Sequence, residues 1–224
     1  MSVTSKNISR IGIIVAMDKE MAQLKKVFSD NPNIILRKCG VGKVNSAIGT
    51  TLMIEEYQPD LIISTGCAGG ADTALQVGQV VVAAQCTYHD VYCGTNYAYG
   101  QFPDTPQFFD TPQWLVDKAL KLNERGDVPT VKSGLTVSGD WFVDSKEKMY
   151  EILKHYPEAA AVDMESCSIA HACWLQGIPF VSFRIISDVP LKDHKAEMYF
   201  NFWDKMAEGS FDVTRAFVDS LLNK

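Results

Sequence analysis

Five carboxylates stand where short apolar runs end: Asp18 and Glu20 after "IGIIVAM", Asp163 and Glu165 after "AAAV", and Asp188 after "FVSFRIIS". Desolvating an ionised carboxylate is costly, so an acid at such a place reaches water, caps a helix or holds a ligand. One alone reads as a helix N-cap, and Asp18 or Asp163 would suit that role. Three sets on one rim read as a shared site, because the ligand crevice of an open α/β sheet lies outside the carboxyl ends of its strands. Such a set could hold a ligand between its members.

Other chemistries find little support. "CGVGKVNSAIG" departs from the phosphate loop, with Arg37 in place of its first glycine and Val44 in place of Ser or Thr. It also departs from the dinucleotide fingerprint, with Asn45 at the third glycine. It reads instead as a glycine turn opening a helix. His89, His155, His171 and His194 lack zinc-ligand spacing, and "HAC" is too sparse to hold zinc alone, so no metal is expected. No GxSxG elbow occurs. Cys67 in "STGCAGG" follows a strand but has no identifiable base partner. The glycines around it suit close approach of a ligand.

The elements that must position these acids alternate along the chain. "RIGIIVAM", "NIILRKC", "PDLIISTG", "GQVVVAA", "VKSGLTVSG", "AAAVDM" and "IPFVSFRIISD" read as strands, several apolar enough to be covered on both faces. Helical spacing appears in "MDKEMAQLKKVF", "KVNSAIGTTLMIEEY", "PQWLVDKALKLNERG", "KEKMYEILKHY" and "ESCSIAHACWLQG", the last ended by Gly177. Phe202, Met206, Val213, Phe217 and Leu221 suit one long C-terminal helix, with Gly209 weakening its middle. The pattern predicts an α/β domain with a parallel or mixed sheet. "YCGTNYAYGQFPDTPQFFDTPQ" is the one long irregular stretch, suited to a lid, a binding surface or an interface.

With 224 residues, 46% hydrophobic and 21% charged, the chain suits one domain over 1–224, residues 1–9 forming a flexible polar tail. A net charge of −6 argues against nucleic acid as a partner. "MSVTSKNISR" lacks the apolar core of a signal peptide, and no run approaches membrane-spanning length. A soluble, cytoplasmic protein with no membrane partner is expected. Its six cysteines, none in a CxxC pair, are expected to be free thiols.

"IGIIVAMDKE", "GVGKV", "STGCAGG", "YHD", "YGQFP", "VSGDWFV", "AVDMES" and "RIISD" occur in this order over nearly the whole chain. Together they resemble the 5′-methylthioadenosine/S-adenosylhomocysteine nucleosidases of the nucleoside phosphorylase superfamily. The resemblance implies a three-layer fold, a twisted mixed sheet flanked by helices. It also implies a homodimer and cofactor-free hydrolysis of an adenine N-glycosidic bond. Asp188 would be the acid that donates toward adenine N7, oriented by Ser187, and Glu20 the base that activates water. From its ordinary pKa of about 3.9, Asp188 would have to be held protonated near neutrality at a cost of about 4 kcal/mol. Glu165 would accept hydrogen bonds from the ribose hydroxyls. Met164 would pack against the sugar with Met17 near it, Asp163 would also bind substrate, and Cys67, Ala68 and Gly69 would line the ribose and purine floor. Phe142 would stack on the purine and the Val143 backbone would meet its edge. Tyr92 and Pro103 would reach the 5′-substituent pocket of the neighbouring subunit.

The sequence also departs from that family's usual pattern. Val15 replaces a glycine, Cys67 a serine, Asp163 a glutamate, and Thr95 a phenylalanine of the 5′ pocket, while residues 29–38 are shorter than the usual paired strands. Met198, Tyr199 and Phe200 compete to close the pocket. Three alternatives stay open: another adenine nucleoside such as aminodeoxyfutalosine, a phosphorylase, and a non-catalytic nucleoside binder. The phosphorylase lacks its anion-binding arginines in "AMDKEM" and "IISTGCAGG". A binder would need only Glu165 of the three acids.

Overall fold

The computed structural model describes residues 8–28, 31–193, 195–206 and 211–222. The expected tail therefore falls largely outside the described residues, as does Gly209. Seven strands follow the apolar runs: β1 (Ile11–Val15), β2 (Ile34–Lys38), β3 (Leu61–Gly70), β4 (Val80–Tyr88), β6 (Val131–Ser138), β7 (Ala159–Asp163) and β8 (Phe180–Asp188). A two-residue β5 (Phe109–Asp110) ends the long irregular stretch. The helices are α1 (Asp18–Phe28), α2 (Lys43–Tyr57), α3 (Gln113–Leu120), α4 (Lys146–His155), α5 (Ser166–Gln176), α6 (Lys195–Asn201) and α7 (Asp212–Leu222).

The eight strands form one mixed sheet. β2, β1, β3 and β8 run parallel in that order. β8 then pairs antiparallel with β4, β4 parallel with β6, and β6 parallel with β7. Finally β7 meets the far end of β3 antiparallel, through Gly69 and Gly70. The sheet thus closes on itself as a distorted barrel, with β1 and β2 as a side wing. A register shift between Ala68 and Gly69 marks the bend. Gly69 suits it, because a Cβ there would press on Val162 and Pro190.

Alternation along the strands separates two cores. Ile11, Ile13, Val15, Leu61 and Ile63 pack with Leu24 of α1, Leu115 of α3 and Phe217 of α7. Phe217 stacks on Phe183 with ring centroids 4.9 Å apart. Ile14 and Ile62 face the opposite way, onto Met53 of α2 and Cys167, Ile169 and Cys173 of α5. Helices therefore cover both faces, which explains the near-continuous apolar character of β1 and β3.

The C-terminal region departs from the expected long helix. α6 runs on as a π-helical turn, Phe202–Met206, and α7 begins afresh at Asp212. Phe202 and Phe211 enter the same core as Phe217. All six cysteines are unpaired, with Cys86, Cys167 and Cys173 fully buried.

Candidate active site

A cavity of about 170 Å³ opens at the carboxyl ends of β1, β3, β7 and β8. Each residue of this chain's own site that the family resemblance assigned a contact with substrate or water lines it. The turn after β1 brings Met17 and Glu20, and β3 brings Cys67, Ala68 and Gly69. The segment after β6 brings Phe142 and Val143, the β7–α5 junction Asp163, Met164 and Glu165, and the end of β8 Ser187 and Asp188.

Glu20 lies on the first turn of α1 but points back under β3. Its Oε2 accepts the N–H of Ala16 and of Met17, both at 3.0 Å, and its Oε1 accepts the N–H of Cys67 at 2.9 Å. Burial raises its pKa, and the Arg184 guanidinium with these three donors opposes the shift without cancelling it. Gly66 makes room: at φ +129°, a Cβ there would collide with the Glu20 carboxylate. Burial and the nearby Glu20 hold the Cys67 thiol well above its ordinary value, so it stays protonated and is a poor nucleophile.

Beneath Asp163 and Glu165 lies Arg184, a residue the sequence reading passed over. It is 1% exposed. Its Nε sits 2.8 Å from Asp163 Oδ2 and its Nη2 3.9 Å from Glu165 Oε2. Its remaining donors reach Ser64 Oγ at 2.7 Å and the Thr65 carbonyl at 3.0 Å. Burial works against its charge, but Asp163, Glu165 and Glu20 outweigh that and raise its pKa. The signal was available: a lone charge inside "FVSFRIIS" must be paired if the strand is buried.

Asp163 and Glu165 divide the work. Asp163 accepts from Ser138 Oγ at 2.5 Å, from Ser166 Oγ, and from the N–H groups of Glu165 and Ser166. It lines the cavity while capping α5 and anchoring Arg184. Glu165 accepts the Gly42 N–H at 3.0 Å. Burial pushes its pKa up to about 7, with Arg184 opposing and Asp163 adding to the rise. Asp188 is 4% exposed, and Ser187 Oγ donates to its Oδ1 at 2.7 Å.

Aromatic side chains form the mouth. Phe142 meets Tyr199 of α6 edge-on, ring centroids 5.9 Å apart, while Phe200 is exposed. Of the three candidates to close the pocket, Tyr199 alone lines it. Trp141 and Val41 also line it, unanticipated from the sequence; Lys148 sits 4.7 Å above the Trp141 ring. Asp18 is excluded from the cavity and pairs with Lys38 at 2.7 Å on the surface. Tyr92, Pro103 and Thr95 lie exposed on the long loop, away from this cavity. Among the described residues, no cluster of three or more His, Cys, Asp or Glu could hold a metal.

Residues 10–223 match the Phosphorylase superfamily, which sets the class. The 5′-methylthioadenosine/S-adenosylhomocysteine nucleosidase of Staphylococcus epidermidis is 36% identical over 94% of this chain and 100% of its own length. The Neisseria meningitidis nucleosidase of that name, solved with methylthio-immucillin-A, superposes with TM-score 0.88 at 32% identity, covering 95% of this chain and 100% of that one. The Colwellia psychrerythraea nucleosidase, solved with adenine, gives TM-score 0.87 at 29% identity, covering 96% of each chain. The chain belongs to the 5′-methylthioadenosine/S-adenosylhomocysteine nucleosidase family.

Proposed function

We propose that this protein hydrolyses the N-glycosidic bond of 5′-methylthioadenosine and S-adenosylhomocysteine, and of 5′-deoxyadenosine. The products are adenine and the 5′-substituted ribose. The observation that carries this reading is one cavity lined by four buried acids, of which Asp163 is tied up by Arg184 while Glu20, Glu165 and Asp188 stand in three different settings. Asp188, steadied by Ser187, protonates adenine N7 and relieves the charge that gathers on the leaving base. Glu165 accepts from the ribose hydroxyls, with Met164 and Met17 against the sugar. Glu20, its pKa raised by burial, takes a proton from the water that attacks the anomeric carbon. Phe142 stacks on the purine and the Val143 backbone meets its edge. Cys67, Ala68 and Gly69 form the floor.

The working unit is a homodimer in which Tyr92 and Pro103 of the partner subunit complete the 5′ end. Two features support this. Val44, Ile48 and Leu52 leave an apolar stripe on α2, exposed at 68%, 55% and 46%. The long loop is pinned from below, with Tyr156 Oη donating to the Tyr99 carbonyl at 2.7 Å and Tyr99 stacked on His155 at 3.6 Å. It therefore presents Tyr92 outward on a fixed base. Six unpaired cysteines fit a reducing, cytoplasmic setting.

Water is the nucleophile. The arginine nearest the cavity is occupied by Asp163, Ser64 and Thr65, and Glu20 would repel a phosphate dianion. Adenine release from methylthioadenosine in phosphate-free buffer tests the reading, with mass spectrometry of the sugar. Free methylthioribose is expected, and added phosphate should not accelerate the reaction. Ribose 1-phosphate chemistry would sink it, and preference for aminodeoxyfutalosine would reassign the substrate.

A further inference from the structure

The first turn of α2 has no cap of its own. Gly42 offers no side chain, and the turn carries no acid. The opening N–H groups of a helix still need acceptors. Two distant carboxylates supply them. Gly42 N–H donates to Glu165 Oε1 at 3.0 Å, and Lys43 N–H donates to Asp140 Oδ1 at 2.8 Å. The Lys43 ammonium then donates to Asp90 Oδ2 at 2.7 Å and stands 3.9 Å from Asp140 Oδ2. Asp90 Oδ2 also accepts the Asp140 N–H at 2.8 Å, closing the loop of contacts. Gly42 is required at the centre: its φ is +94°, and a Cβ would lie 2.9 Å from Asp140 Oδ1.

These contacts tie together parts of the cavity that come from remote stretches of chain. Asp140 immediately precedes Trp141, Phe142 and Val143, which line one side. Glu165 lies on another side and is held by the same helix end. Lys43, Asp90 and Asp140 do not line the cavity themselves. The side chains of Lys43 and Asp90 are 23% and 24% exposed, sheltered more than an ordinary surface pair.

We infer that Lys43, Asp90 and Asp140 are positioning residues that form a latch, fixing the purine-side loop relative to Glu165 through the N-terminus of α2. The inference rests on the proposed function. A nucleosidase must hold base and sugar together while the bond between them breaks. A misplacement of about 1 Å can cost on the order of 100-fold in rate.

The test compares adenine release by the unmodified chain, Asp140→Ala, Asp140→Asn, Lys43→Met and the double variant Asp140→Ala/Lys43→Met, with affinity for free adenine measured beside it. Asp140→Ala is expected to cut kcat/KM about 10- to 100-fold, chiefly through KM, and to weaken adenine binding. Asp140→Asn keeps an acceptor for the Lys43 N–H and should recover most of that loss. The double variant should lose less than the product of the single losses, because both changes open one latch. Wild-type constants in Asp140→Ala would overturn the latch. So would an Asn variant no better than Ala, or losses that simply multiply. Should the unmodified chain release no adenine, the proposed function falls. The same ranking in affinity for free adenine then decides the latch alone.

Discussion

At the scale of single residues, the three acids of the proposed mechanism differ in their surroundings more than in their type. Asp188→Asn keeps the size and the contact with Ser187 but has no proton to give. Turnover is expected to fall about 10²- to 10⁴-fold with nucleoside binding retained; near-normal turnover by a spectrophotometric adenine assay would remove Asp188 from the mechanism. Glu165 makes a different prediction. Burial lifts its pKa from 4.5 to about 7, so the folded chain prefers it protonated. Its contribution to stability is then full below its ordinary value and is lost as pH rises through about 7. Glu165→Gln should therefore melt above the unmodified chain at about pH 8, the gap closing toward about pH 5, while adenine release drops. Equal melting differences at both pH values would contradict this. The acids were legible in the sequence because each ends or closely follows an apolar strand. Arg184 was legible only as a lone charge inside "FVSFRIIS"; its partners Ser64, Asp163 and Glu165 were not, because they are remote in sequence and only the sheet brings them under one guanidinium.

At the scale of elements, β3 shows how a strand is cut to fit a buried carboxylate. Its apolar half, Leu61 to Ile63, is ordinary core. Its glycine-rich half bends, closes the barrel on β7 and leaves space for Glu20. The sequence signalled close approach at "STGCAGG" but not what approaches, which is a side chain of α1 rather than only a ligand. Gly66→Ala would put a side chain at φ +129° and against Glu20. It is expected to lower the melting temperature and to abolish most turnover, while the circular dichroism of the folded chain persists; an alanine variant with unchanged kinetics would show that Glu20 tolerates displacement. The C-terminal region was less legible. Apolar spacing cannot distinguish one long helix from separate segments that share a core, as Phe202 of the π-helical turn, Phe211 just before α7 and Phe217 of α7 do.

At the scale of the whole molecule, the cavity and the exposed apolar stripe meet on one helix, α2. The first turn of α2 grips Glu165 and Asp140, and its outer face carries Val44, Ile48 and Leu52. A subunit docked on that face would press on the element that sets the cavity, and it would bring Tyr92 and Pro103 of the partner subunit toward the 5′ end. Ile48→Lys tests this arrangement. A lysine at the centre of a dry interface would bury an unpaired charge, a strongly unfavourable change. On a free surface the same lysine would be harmless. Light scattering should therefore find a dimer for the unmodified chain and a monomer for Ile48→Lys at the same concentration, with thermal stability of the remaining fold little changed. Free adenine should still bind, because Phe142, Val143 and Asp188 all belong to the same chain. Methylthioadenosine should bind more weakly, because its 5′ end loses the partner's contacts. A variant that stays dimeric would remove α2 from the interface. One that becomes monomeric yet keeps full affinity for methylthioadenosine would show each subunit to be complete by itself, and would retire the roles of Tyr92 and Pro103.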